Sequence, residues 1–163
     1  MPDPAGPLVV TQVRYDHPDG VALTARVQAY YEKIYGGPDT SHVDDHDFAP
    51  PRGAFFVGYA AGRPVVMGGW RWHPPVIDLP ADRPAEIKRM YVVEDARGRG
   101  LARLLLQHLE QSARQAGADA LVLETGQPQA DAIGLYRSSG YADIPRFGHY
   151  AAEPDAVHLG KLL

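Results

Sequence analysis

Apolar and polar residues follow two periods along this chain, and the switches between them mark out its elements. A β-prone run over residues 8–15 opens the pattern after a loose N-terminus. A helical pattern then runs through Val21, Leu23, Ala25, Val27, Tyr30, Tyr31 and Ile34, with Asp19 as its expected cap and Gly36-Gly37-Pro38 as its stop. Residues 39–53 are polar and acidic, with room for a short second helix. Residues 54–59 and 64–72 read as two strands joined by the short link 60–63, as in a hairpin. A proline-rich loop leads to a strand over residues 86–93. A helix follows, with Leu101, Leu104, Leu105, Leu109 and Ala113 at spacings of three and four and Gly117 past its end. A strand at 120–123, a helix at 128–139 closed by Gly140, and β-prone pieces around Ile144 and Val157-His158-Leu159 complete the chain. The order β-α-(α)-β-β-β-α-β-α-β-β predicts a mixed α/β sandwich with helices on both sides of one sheet.

Bulk composition narrows the function classes. The 163 residues suit one domain with a single core. The absence of cysteine removes disulfides, thiolate metal sites and a nucleophilic thiol together. A net charge of −4 argues against nonspecific nucleic-acid binding. No apolar run is long enough for a membrane span, and Met1-Pro2-Asp3-Pro4-Ala5-Gly6 lacks the features of a secretory signal, so a cytoplasmic location is expected.

The chemistry concentrates where the strand at 86–93 gives way to a helix through Arg97-Gly98-Arg99-Gly100-Leu101-Ala102. The first turn of a helix has unpaired N–H groups and partial positive charge. Glycines let a bulky anion approach the main chain, and arginines add charge. The segment therefore reads as a pyrophosphate cradle. It lacks the Lys-Ser/Thr of a P-loop and the third glycine of a dinucleotide fingerprint.

Arg97-x-x-Gly100-x-Ala102 resembles the Arg/Gln-x-x-Gly-x-Gly/Ala loop of the GNAT acetyltransferases. The preceding Lys88-Arg89-Met90-Tyr91-Val92, the string Leu123-Glu124-Thr125-Gly126, and Ala132-Ile133-Gly134-Leu135-Tyr136-Arg137-Ser138-Ser139-Gly140-Tyr141 are also similar to that family. The resemblance implies a GNAT-type, mostly antiparallel central sheet with helices on both faces. It implies acetyl-CoA as co-substrate, with no metal and an amine acceptor as the other partner. Main-chain groups of Met90, Tyr91, Val92 and Val93 would bind pantetheine. N–H groups from Arg97 through Gly98, Arg99, Gly100, Leu101 and Ala102 would bind pyrophosphate. Gln129 stands where the family often places an asparagine that contacts the coenzyme. Some members dimerise, and no stripe in this chain identifies an interface.

Direct aminolysis of a thioester requires a base for the amine and an acid for the leaving thiolate. Tyr136 matches the family's Leu-Tyr tyrosine near the coenzyme sulfur and is the expected acid; packing on an amphipathic helix is its alternative. Glu86, early in the coenzyme strand, is the first candidate base. A strand period of two puts it on one face with Lys88, Met90 and Val92, so a plain Glu86–Lys88 pair is the other reading. Glu124 is the second candidate base, unless it serves only the N-terminus of the next helix.

The resemblance places the acceptor among the first helices, their connecting loop at 39–48, the middle strands and the tail loop, with Tyr31, Trp70, Arg71 and Trp72 as expected contacts beside Tyr30, Tyr35, His73 and Phe147. Arg71 could hold an acceptor carboxylate. Asp44, Asp45 and Asp47 could attract a cationic amine or form a solvated loop. His42 and His46 lack a third metal ligand at a fixed spacing. The leading expectation is acetyl transfer to a primary amine of a small molecule through a ternary complex. A protein or peptide acceptor, a non-catalytic acyl-CoA-binding module and a nucleotide-binding domain remain as alternatives.

Overall fold

The computed structural model describes residues 6–163, so most of the loose N-terminus expected from sequence, with the expected absence of a signal there, lies outside the described residues. The elements are β1 (Val9–Val13), α1 (Pro18–Tyr35), β2 (Gly53–Ala60), β3 (Arg63–Trp72), β4 (Pro84–Val92), α2 (Leu101–Gln115), β5 (Ala120–Gly126), α3 (Ala130–Ser138), β6 (Ala142–Asp143) and β7 (Ala156–Leu162). Seven strands form one sheet in the order β1-β2-β3-β4-β5-β7-β6. Every neighbouring pair is antiparallel except β4 and β5. No helix among the described residues is long and apolar enough to cross a membrane.

Local chemistry accounts for most boundaries. His17, rather than the expected Asp19, caps α1: its Nδ1 accepts the Asp19 N–H at 3.1 Å, and Pro18 supplies a pre-set first turn. Asp19 instead accepts the Tyr59 hydroxyl at 2.6 Å and ties α1 to β2. Gly36 ends α1 in the left-handed conformation. The β2–β3 hairpin turns on Ala61 and Gly62, both at positive φ, as a tight two-residue turn requires. Residues 36–52 form turns, with no second helix.

α1 and α2 lie on opposite faces. The Thr24 hydroxyl of α1 reaches Met67 Sδ, while a side chain at the adjacent Gly68 would run into Leu105 and Leu109 of α2. On α2, Leu104 is 49% exposed and Leu106 takes the buried place that spacing assigned to it. α3 sits beside α2, with Arg103 bonded to Ser138 and Ser139.

Two irregularities in the sheet position the site. β4 and β5 pair only from Pro84/Ala120 to Glu86/Val122 and then separate, leaving a V-shaped gap. β4 also carries a bulge opposite Gly68, with Arg89 at φ 60°. A β-bulge re-aims side chains beyond it. Glu86 and Lys88 face the α1 side, whereas Met90 packs against the Gly68 site and α2. The strict period-two face expected for Glu86, Lys88, Met90 and Val92 is therefore broken at Arg89.

Candidate active site

The floor of the V is a cavity of about 400 Å³, lined by Ile87 to Met90 of β4, Leu123 to Gly126 of β5, Gln129, Ala132 and Tyr136 of the α3 region, and Tyr31, Tyr35 and Asp39 from the α1 side. Beyond the end of β4, between it and α2, stands the Arg97–Ala102 turn. Gly98 and Gly100 adopt φ 78° and 76°, a region that side chains disfavour, and a Cβ at either would meet nothing within 4 Å. Gly100 is the N-cap of α2 and supplies no side-chain cap, so no capping side chain claims the first N–H groups of the helix, as an anion site needs. Arg97 is engaged elsewhere: its Nε donates to the Val92 carbonyl at 3.0 Å, and its guanidinium lies over Tyr30 and Tyr91. The Val93 N–H is also committed, to the Val65 carbonyl. These two bonds remove the Val92 C=O and Val93 N–H from the groups expected to face pantetheine. Gln129 donates to the Tyr35 hydroxyl at 2.8 Å and borders the same cavity.

Tyr136 is buried, with its hydroxyl 3.5 Å from Met90 Sδ at the cavity wall. Burial, aided by Tyr31, pushes its pKa well above the usual phenol value, so it keeps its proton throughout the neutral range.

A second cavity of about 400 Å³ adjoins the first, and Lys88 and Glu124 line both. Its wall is polar: Ser41, His42, Asp47, Arg71, Glu86 and His149, with Trp72, His73 and Gly148 at the margin. Glu86 is only 3% exposed, and its partner is Arg71, whose Nε donates to Glu86 Oε1 at 3.0 Å. The expected Glu86–Lys88 pair does not form. Lys88 donates to Ser41 and lies 3.5 Å from Asp39. Arg71 also donates to Asp47 and to the His42 carbonyl, so contacts within the protein already claim much of its guanidinium.

Glu124 differs from Glu86 in having no cation bonded to it. It accepts the Tyr150 N–H at 3.2 Å. Burial first, and then the charge of Glu86, push its pKa up to about 7, against a smaller opposing effect of Lys88. A carboxyl titrating near 7 at the junction of two cavities is suited to taking up and releasing a proton at neutral pH. A side chain at Gly148 would strike Glu124 Oε1, so glycine there makes room for the carboxylate.

The structure corrects one acceptor contact. Trp70 is buried on the α2 face, with its Nε1 donating to Ser112 at 3.0 Å, because strand alternation points it away from Arg71 and the second cavity. Trp72 borders the cavity, but its indole N–H is bonded to the Pro51 carbonyl, and Arg83 covers the ring. Of the acidic loop, Asp47 holds Arg71, while Asp44 closes its own turn through the His46 N–H. Among the described residues, no group of three or more His, Cys, Asp or Glu side chains is placed to hold a metal ion.

Sequence reasoning placed the 39–48 loop at the acceptor site without singling out Asp39. This residue accepts from Arg89 at 2.7 Å, Tyr150 at 2.6 Å and Ser41 at 2.7 Å. Burial works to raise its carboxyl pKa, but Lys88, Tyr150 and Ser41 outweigh it and hold Asp39 well below the usual carboxylate range. The Arg89–Asp39 ion pair is buried at the bulge, where Arg89 adopts its positive φ.

A family model described as the Acetyltransferase (GNAT) family matches residues 23–141, which span the V, the glycine turn and α3. The chain belongs to the GNAT acetyltransferase family. It is 36% identical to an IAA acetyltransferase of Azospirillum brasilense over 143 residues, covering 88% of this chain and 90% of that protein. A Klebsiella pneumoniae structure provisionally named an acyl-CoA N-acyltransferase superposes with TM-score 0.79 at 28% identity, covering 96% of this chain and 98% of the other. An IAA acetyltransferase from Bacillus cereus shares the fold at TM-score 0.66 and 17% identity, over 96% and 99% of the two chains. The β4–β5 ladder inside the matched region stops at Glu86 and Val122.

Proposed function

We propose that this GNAT protein transfers an acetyl group from acetyl-CoA to the amine of a small polar molecule, by direct attack in a ternary complex, with Glu124 as general base and Tyr136 as general acid. The observation that carries this reading is the position of Glu124: one carboxyl, with its pKa at about 7, lines both the cavity inside the V and the polar cavity beside it.

The glycine turn and the start of α2 would hold the pyrophosphate, and main-chain groups of β4 inside the V would align the pantetheine arm. Glu124 takes one proton from the acceptor's ammonium, freeing the lone pair that attacks the acetyl carbonyl carbon. A C–N bond forms and the C–S bond breaks. Tyr136 gives its phenolic proton to the departing sulfur, and the second proton lost by nitrogen restores the phenol. Glu124 then releases its proton to solvent through the acceptor cavity. Glu86 is assigned a supporting role in place of the base expected from sequence. Its carboxylate is held by Arg71, and its charge raises the proton affinity of Glu124.

The polar, charged wall of the second cavity and its volume of about 400 Å³ favour a compact polar amine. The test is thiol release from acetyl-CoA against a panel of amino acids, polyamines, aminoglycosides and peptide N-termini. The acceptor for which the Azospirillum relative is named belongs in the same panel. Turnover with a small amine that outpaces every peptide supports the reading. Faster turnover with peptides would replace it with a protein acetyltransferase, and saturable coenzyme binding without release on any acceptor would point to a binding module.

A further inference from the structure

We propose that His158 is the positioning residue for Glu124: from β7 its neutral imidazole presents an Nε2–H that steadies the ionised carboxylate and leaves one carboxylate oxygen turned to the acceptor cavity. In its catalytic consequence this rests on the reading of Glu124 as the base; the physical coupling of the two groups does not.

Glu124 and His158 stand directly opposite each other in the β5–β7 pairing, and Nε2 of the histidine lies 3.7 Å from Oε2 of the glutamate. The His158 side chain is 1% exposed, and neither ring nitrogen has a hydrogen-bond partner. Buried polar groups are rarely left this way. The distance is too long for a hydrogen bond and too short for an intervening water, so a small closure to about 2.9 Å supplies the missing bond directly. Phe147 covers the ring at 5.0 Å and prevents water from reaching it on that side.

The orientation follows from which oxygen is occupied. Oε2 receives the Tyr150 N–H and faces His158, whereas Oε1 lies against Gly148, which lines the acceptor cavity. Among the described residues Nδ1 meets no hydrogen-bond partner, so we place the ring proton on Nε2, toward the carboxylate.

The charge state follows from all neighbours. Burial lowers the His158 pKa and Arg146, from the loop before β7, lowers it further. Glu86 on β4 works the other way, and so does the Phe147 main chain, which lies near without meeting hydrogen-bond geometry. The net direction is down, so the ring is neutral at neutral pH. Glu124 in turn faces Glu86 and Lys88 of β4 and Asp39 from the loop after α1. A neutral N–H donor favours the ionised carboxylate, so its removal must raise the Glu124 midpoint.

The experiment is an NMR titration of the full chain carrying glutamate labelled with ¹³C at Cδ, with Glu124→Gln to assign the resonance. The wild-type midpoint is expected at about 7. His158→Leu should raise it by about one pH unit, and His158→Gln, which restores an N–H donor, should bring it back. An unmoved midpoint in His158→Leu, or a glutamine variant no different from leucine, would overturn the proposal. Should the leucine variant fail to fold, the imidazole resonances of the wild type and Glu124→Gln decide. A preference for the Nε2–H tautomer that weakens in Glu124→Gln supports the coupling, and an unchanged tautomer overturns it. The acid limb of kcat/KM separates the two claims: an NMR shift with an unmoved limb means that the pair is coupled but Glu124 is not the base.

Discussion

The two cavities that meet at Lys88 and Glu124 are built by different means. The one inside the V depends on main chain: a strand pair that stops pairing after Glu86, two glycines at positive φ and the first turn of α2. The second depends on side chains, with carboxylates, cations and imidazoles supplied by five separate stretches of chain. A backbone site tolerates many side-chain changes and fails when the main chain is blocked. A side-chain site fails when a single charge is neutralised, and it can be retuned without disturbing the main-chain cavity beside it.

Substitutions can break this division, and the largest effect is expected at Glu124. Glu124→Gln removes the proposed base from the shared junction, so turnover should fall about 10³-fold while the dissociation constant for acetyl-CoA stays within about twofold. In the wild type kcat/KM should climb through pH 7 as the carboxyl ionises, and the variant should lose that limb. The same raised pKa makes the wild type lose stability as pH rises from 4.5 towards 7, because the folded chain holds this proton more tightly than the unfolded one. Thermal melts of Glu124→Gln should show no such loss.

Gly100→Glu attacks the other cavity. A side chain at φ 76°, with negative charge at the first turn of α2, should weaken acetyl-CoA binding at least about 100-fold, and circular dichroism should report an intact fold because a Cβ there meets no neighbour. Tyr136→Phe should slow turnover about 10- to 100-fold with little change in coenzyme affinity, as measured by steady-state kinetics beside calorimetry. Unchanged turnover would leave Tyr136 as a packing residue. The smallest functional effect belongs to Trp70→Phe: about 1–2 kcal/mol of stability from the lost Ser112 bond and packing, with acceptor KM unchanged.

What the sequence revealed divides along the same line. The glycine turn was legible because its residues are contiguous and their chemistry, flexible backbone before a helix start, is local. The order of strands and helices followed from periodicity for the same reason. The acceptor side was not. Asp39 reaches Arg89 and Tyr150 across 50 and 111 residues, and no local pattern joins them. The Glu86–Lys88 expectation failed because it used one strand alone, whereas the partner of Glu86 lies across the ladder, where Arg71 stands opposite it. The bulge at Arg89 left no trace in residue types, since a positive φ on arginine is set by tertiary contacts. The proposed choice of Glu124 over Glu86 rests on which carboxylate already has a cation, and Arg71 lies across the ladder from Glu86 where no local pattern shows it.

The central claim is that the V and its glycine turn bind acetyl-CoA. Calorimetric titration of the purified protein with acetyl-CoA, with ATP and NAD as controls, tests it most directly. Saturable binding of acetyl-CoA alone, abolished in Gly100→Glu and retained in Glu124→Gln, is the predicted result. No binding, or equal binding of all three nucleotides, would contradict it.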